Sequence, residues 1–159
     1  VFCPHPPVDS LPGDGQHARL ARRVAHLGGL HPRRVHALLQ RGVTIAYVTA
    51  RDAHMVPGTV ASMAEMGFPM GVAGTILCTK PRVKMSDDEH KDAAFRWLGE
   101  LGTPVLCADN EPSHVNAMFR LFPDAMAVLV KTRCSPNPPA PLPGTTNSPS
   151  ILEAVCEPL

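Results

Sequence analysis

The sequence predicts an α/β domain built on a short parallel sheet, and three observations carry that expectation. Short apolar runs at 43–49, 74–79, 103–108 and 125–130 each end in polar or turn residues, which is how strands buried on both faces read. Helix-periodic segments fall between them, at 57–66, 86–101 and 112–121. Strands alternating with helices make βαβ units and a parallel sheet. The chain of 159 residues, 44% hydrophobic and 18% charged, has the size and composition of one globular domain.

The bulk numbers exclude some functions. A net charge of +1 gives no general attraction to nucleic acid. No apolar run reaches the ~18 residues that would cross a bilayer, so no membrane partner is expected. The five cysteines are odd in number and widely spaced, and Cys78 and Cys107 fall in predicted strands. That pattern suits a reducing, cytoplasmic setting rather than a disulfide framework. No signal peptide is visible. Oligomeric state is not legible.

Taken in order, residues 1–14 hold four prolines and are expected to be irregular, because each proline removes a ladder donor. Residues 15–28 place Leu20, Val24 and Leu27 on one helical face and are read as a helix that stops at Gly28-Gly29. A helix from Pro32 to Gln40 has proline in its first turn and an apolar stripe of Val35, Leu38 and Leu39. Gly42 turns the chain into the strand 43–49, VTIAYVT, and Thr49 and Arg51 stand at its carboxyl end. The helix 57–66 closes on Gly67. After the strand GTILCT comes a basic connector, 80–85. Ser86 and Glu89 form a capping box that opens the helix to Leu101, with Ala94, Phe95, Leu98 and Leu101 facing inward. The strand TPVLCA ends on Asp109. Val115, Met118 and Phe119 face inward from the next helix, and AMAVLV is the fourth strand. Residues 134–149 hold six prolines and read as a tail ordered by contact or loose, with a terminal helical turn near Ile151 to Val155. The domain plan is therefore an irregular segment 1–14, an α/β core 15–133 and a Pro-rich tail 134–159. The architecture expected is three-layer α/β/α, Rossmann-like, with about four parallel strands.

Ligands in open α/β sheets sit beyond the carboxyl ends of the strands. Thr49 and Asp109 reach that end, with Asn110 and Glu111 beside Asp109 and Lys91 in the second turn of the intervening helix. A hydroxyl and an ammonium suit phosphate oxygens, and carboxylates suit Mg²⁺. The bland alternatives are an N-capping Asp109 and a solvated Lys91. No acidic residue lies between Asp14 and Asp52, while arginines recur at 19, 22, 23, 33, 34 and 41. They are spread around two segments without interleaved aromatics, so a solvated face is preferred to a phosphate patch. His31 and His36 do not share a helical face, and no cysteine pair has CxxC spacing. His114 follows Asp109 closely but reads more simply as a surface histidine.

Five runs carry a resemblance: VTAR, GTVASMAEMGFP, a strand ending TKP, SDDEHK, and ADNEPSHVNAMFRLFP. In that order they resemble the haloacid dehalogenase (HAD) superfamily of hydrolases over about Val43 to Thr132, closest to a subgroup with DNEP followed by S/T-H in its fourth motif. The resemblance implies a HAD-like fold and a Mg²⁺-dependent phosphatase that acts on a phosphorylated small molecule through an aspartyl-phosphate. It implies that Thr49 hydrogen-bonds a phosphoryl oxygen, with Arg51 and Asn110 also on the phosphate. Lys91 steadies the negative charge, with Lys80 as its rival. Asp109 holds the metal, helped by Glu111.

The family's first motif, DxDx[TV], which supplies the nucleophile, has no match here. Asp9 and Asp14 are the only upstream acids, and neither follows an apolar strand. The motif's strand should lie at the sheet centre, between 43–49 and 103–108. The expectation is therefore a sheet lacking that strand, in a fragment or a degenerate member. The complete form would be a phosphatase. The alternative is a catalytically dead HAD-like module that binds a phosphorylated ligand or a protein partner.

Overall fold

The computed structural model describes residues 2–3, 24–26, 32–81 and 84–149. Its elements are β1 (Phe2–Cys3), β2 (Val24–His26), α1 (Pro32–Gln40), β3 (Thr44–Asp52), a 3₁₀ turn (Ala53–Met55), α2 (Val56–Glu65), β4 (Thr75–Lys80), α3 (Asp87–Leu101), β5 (Pro104–Asp109), α4 (Pro112–Leu121), β6 (Met126–Val130) and β7 (Thr146–Ser148). One parallel sheet of seven strands runs in the order β1-β4-β3-β2-β5-β6-β7. Helices cover both faces. No helix among the described residues is long and apolar enough to cross a membrane.

Alternation along the strands decides which helix meets which face. Val43, Ile45, Tyr47, Leu77, Leu106, Ala108, Val128 and Val130 point to one side, where Val35 of α1 and Val60 and Met63 of α2 pack on them. Ala46, Ile76, Cys78, Cys107, Ala127 and Leu129 point to the other side, against Ala94, Phe95 and Leu98 of α3 and Val115 and Met118 of α4. Because both faces are covered, strand positions of either parity are apolar, as the continuous runs foretold. The helices begin as the sequence indicates. Ser86 accepts from the Glu89 N–H at 3.1 Å while the Glu89 carboxylate accepts from the Ser86 N–H at 2.9 Å, so two orphan donors of α3 are satisfied. Gly74 enters β4 at φ +84°, and a Cβ there would lie 2.8 Å from Leu39 Cδ1.

The sheet centre departs from expectation. The strand expected to be missing between 43–49 and 103–108 is present, and Val24–His26 supplies it. This stretch was read as part of a helix over 15–28. It pairs with Thr44, Ile45 and Ala46 on one side and with Pro104, Leu106 and Cys107 on the other. Two flanking strands with unpaired backbone offer hydrogen bonds on both edges, while a helix of that length is marginal without tertiary support. The remainder of that helix, and Asp9 and Asp14, lie outside the described residues. Phe2–Cys3, expected to be irregular, pairs with Leu77 and Cys78. At the other edge, Thr146–Ser148 of the Pro-rich tail pairs with Val128 to Val130. The count of about four strands was low because these three additions are short and take their identity from pairing. The terminal turn at Ile151 to Val155 lies outside the described residues.

Candidate functional site

β2 is where the strand order turns back. From it the chain builds β3 and β4 to one side, then crosses over through α3 to place β5, β6 and β7 on the other. The carboxyl ends beside such a reversal are where open parallel sheets bind ligands. β5 delivers Asp109 there, 4% exposed, and α3 delivers Lys91 opposite it, 8% exposed.

These two form a buried ion pair: Lys91 Nζ donates to Asp109 Oδ2 at 2.6 Å. The other carboxylate oxygen, Oδ1, accepts from the Glu111 N–H at 2.9 Å, which locks the turn into α4. His114, 8% exposed, completes the cluster. Its Nδ1 lies 2.9 Å from Lys91 Nζ and its Nε2 lies 3.0 Å from Asp88 Oδ1. An ammonium only donates, so Nδ1 accepts and the proton sits on Nε2, donated to Asp88. That tautomer makes the 3.4 Å approach of Asp109 Oδ1 to Nδ1 a contact and not a hydrogen bond. Ser113 Oγ adds a hydrogen bond to Asp88 at 3.1 Å. The result is a chain Asp88–His114–Lys91–Asp109 in which Lys91 offsets the Asp109 charge and the exposed Asp88 accepts from His114 and Ser113. Cys107 points to the same face of β5, and burial pushes its thiol up to about 12, so it stays protonated and unreactive.

The other candidate residues are placed elsewhere. The Glu111 carboxylate accepts from Ser135 N–H at 2.9 Å and Ser135 Oγ at 2.7 Å. Asn110 Nδ2 donates to the Arg133 carbonyl at 2.6 Å. Both residues hold the start of the Pro-rich segment. Asn116 holds its middle, donating to the Ala140 carbonyl at 2.9 Å and accepting from the Leu142 N–H at 2.8 Å. Lys80 pairs with Asp87 at 2.9 Å at the start of α3. Thr49 and Arg51 line a cavity of about 200 Å³ with Tyr47, Thr59, Met63 and Leu77. Tyr47 and Leu77 belong to the face covered by α1 and α2, whereas Lys91, Asp109 and His114 meet under α3 and α4. The structure thus brings Lys91 to Asp109 and groups Thr49 with Arg51 on the opposite face of the sheet.

No protein-family model, curated protein or solved structure matches this chain.

Mg²⁺ takes one or two carboxylates together with phosphate and water oxygens. Of the two expected ligands, Asp109 is neutralised by Lys91 and Glu111 is spent on Ser135. Among the described residues no group of three or more His, Cys, Asp or Glu side chains is placed to hold a metal ion. As folded, this donor set does not fit a resident Mg²⁺.

Three further residues take part in these environments. His114 is buried and central to the cluster. Asp88 stands three positions before Lys91, a spacing that puts both on one helical face. Asp52 ends β3 in register with Lys80, and its Oδ1 is buried without a hydrogen-bond partner among the described residues. Only the i,i+3 spacing of Asp88 and Lys91 was visible in the sequence.

Proposed function

We propose that this chain is a Rossmann-like, HAD-like module that binds a phosphorylated small molecule and does not hydrolyse it. One observation carries the second half. The strand between β3 and β5 is Val24–His26, and no carboxylate follows it in the sequence until Asp52. Hydrolysis through an aspartyl-phosphate needs a carboxylate nucleophile at that strand's end. A carboxylate already paired to Lys91 and a threonine on the opposite face do not replace it.

The HAD-like half is supported by strand order and motif order. Counted from β2 as the first strand, the sheet from β4 to β7 runs 3-2-1-4-5-6, the order of a doubly wound fold. The VTAR, SDDEHK and DNEPSH runs fall on β3, the start of α3 and the β5–α4 turn, in the sequence the superfamily follows. In this reading Lys91 and Asp109 persist as a structural pair, and phosphate recognition falls to Thr49 and Arg51.

Turnover is the test. Purified protein is incubated with p-nitrophenyl phosphate with and without Mg²⁺, beside Asp109→Ala. No release above the buffer rate is expected from either protein. Release proportional to protein concentration and abolished by Asp109→Ala would overturn the inert reading and restore the phosphatase.

A further inference from the structure

We infer that the cavity between β3 and α2 is the binding site for a small amphipathic phosphate monoester, its anion held by Arg51 and Thr49 and its apolar body seated on Met63, Met66 and Leu77. The inference rests on the phosphate-binding reading above and adds where the ligand sits and of what class it is.

Size bounds the ligand. The cavity holds about 200 Å³, below the ~300–1,000 Å³ of sites for drug-sized molecules. An apolar cavity of about 150 Å³ accommodates benzene. The space here therefore takes a ring or short chain, with its charged group at the mouth.

Charge sets the anion. Arg51 is exposed and pairs with no carboxylate among the described residues. Lys80 and Lys91, by contrast, are both neutralised by aspartates. The Arg51 guanidinium is steadied by Thr59, whose Oγ1 accepts from Arg51 Nη1 at 3.4 Å while donating to the Met55 carbonyl at 2.9 Å. Thr59 therefore aims the guanidinium and has no proton left for a ligand. Thr49 is the reverse. Its Oγ1 accepts from the Arg51 N–H at 3.3 Å, which leaves its hydroxyl proton available to a ligand, and Ser62 brings a further hydroxyl to the wall. A fork of guanidinium donors beside a donating hydroxyl matches a tetrahedral oxyanion.

The wall sets the body. Met63 and Leu77 line the inner part and Met66, 54% exposed, forms the rim. Thioethers adapt to an apolar or aromatic group. The Tyr47 hydroxyl is already committed, donating to the Pro69 carbonyl at 3.1 Å, so Tyr47 presents ring surface and not a polar group.

Isothermal titration with phenyl phosphate, and separately with inorganic phosphate, tests this on the wild type and three variants. Wild type is expected to bind phenyl phosphate, and inorganic phosphate about tenfold more weakly for want of the apolar body. Arg51→Met, at an exposed position, removes the charge-assisted bonds and is expected to weaken phenyl phosphate about ten- to a hundredfold. Ser62→Phe, which fills the cavity from α2, is expected to weaken it comparably with an unchanged Tm. Lys91→Met is expected to bind as wild type wherever it remains folded. Binding that survives both Arg51→Met and Ser62→Phe but falls with Lys91→Met would overturn this site and leave the phosphate-binding reading standing. Equal affinity for the two phosphates would overturn the amphipathic ligand class. No binding of either by folded wild type would overturn the phosphate-binding reading itself, and the site with it.

Discussion

Replacing Lys91 by Met while Asp109 stays in place isolates the buried pair that the two residues form. At 2.6 Å, with side chains 11% and 5% exposed, the pair has little solvent to screen it. At an effective dielectric of about 20 the gross attraction is about 6 kcal/mol, offset by several kcal/mol spent in desolvating each ion. Removing one partner forfeits the attraction and keeps the desolvation, which costs about 3–5 kcal/mol. The variant also strips His114 Nδ1 of its donor. For a chain of this length each kcal/mol moves Tm by about 2–4 °C, so Lys91→Met should melt about 6–20 °C below wild type. The double variant Lys91→Met, Asp109→Asn removes both charges at nearly unchanged volume, keeps an acceptor for the Glu111 N–H, and should recover most of that loss. Thermal and urea denaturation followed by circular dichroism gives both numbers. If Lys91→Met lies within about 1 kcal/mol of wild type, or if the two substitutions simply add, the pair is not a unit and the argument from mutual neutralisation fails.

The capping box predicts a pH signature. Hydrogen bonds from the Ser86 backbone and side chain hold Glu89 below the usual carboxylate range. A lowered pKa stabilises the fold above the ordinary carboxylate pKa, and the effect is lost as pH falls through the lowered value. Ser86→Ala should therefore lower Tm by about 2–4 °C near neutrality, with the gap to wild type narrowing in acid but not closing, because the backbone N–H of residue 86 and the non-titrating cap on the Glu89 N–H are not part of the pH-dependent difference. A gap that is constant down to low pH would contradict the capping geometry. Native protein treated with iodoacetamide at pH 8 should be alkylated at the exposed Cys134 and spared at the buried Cys78 and Cys107, as peptide mapping will show; early labelling of Cys107 would contradict its burial. Asn116→Ala removes both anchors at Ala140 and Leu142, and limited proteolysis should then cut within 134–145 faster than in wild type. Equal cutting would mean that other contacts hold the segment. Gly74→Ala should destabilise by about 1–2 kcal/mol, from its positive φ and the crowding on Leu39. A neutral result in urea titration would refute that strain.

What the sequence made legible were elements whose identity is local. The strands at 43–49, 74–79, 103–108 and 125–130 are apolar on both faces, and the helices between them carry their own stripes and caps. The Ser86–Glu89 box stands in the structure as the spacing implied. The central strand was illegible because Val24, Ala25 and His26 have no strand signature of their own. Leu20, Val24 and Leu27 fit a helical stripe, and only the backbone edges of β3 and β5, distant in sequence, make these residues a strand. Thr146 to Ser148 is polar and became a strand in the same way, by edge pairing with β6. Of the site, strand ends indicated Asp109 and Thr49, and helical position indicated Lys91. The face on which each side chain falls depends on strand register and helix placement, and that face separates Thr49 and Arg51 from Lys91 and Asp109. The tethering of Glu111 and Asn110 to Ser135 and Arg133 depends on where the Pro-rich segment returns, which no local pattern encodes.

The central claim joins recognition of a phosphate ester to the absence of its hydrolysis, and one ³¹P NMR experiment reads both. Phenyl phosphate is followed over a day with protein and Mg²⁺. The account predicts that the ester resonance shifts or broadens with protein concentration while no inorganic phosphate resonance grows. Growth of inorganic phosphate in proportion to protein would contradict the missing nucleophile, and an ester resonance indifferent to the folded protein would contradict the binding function.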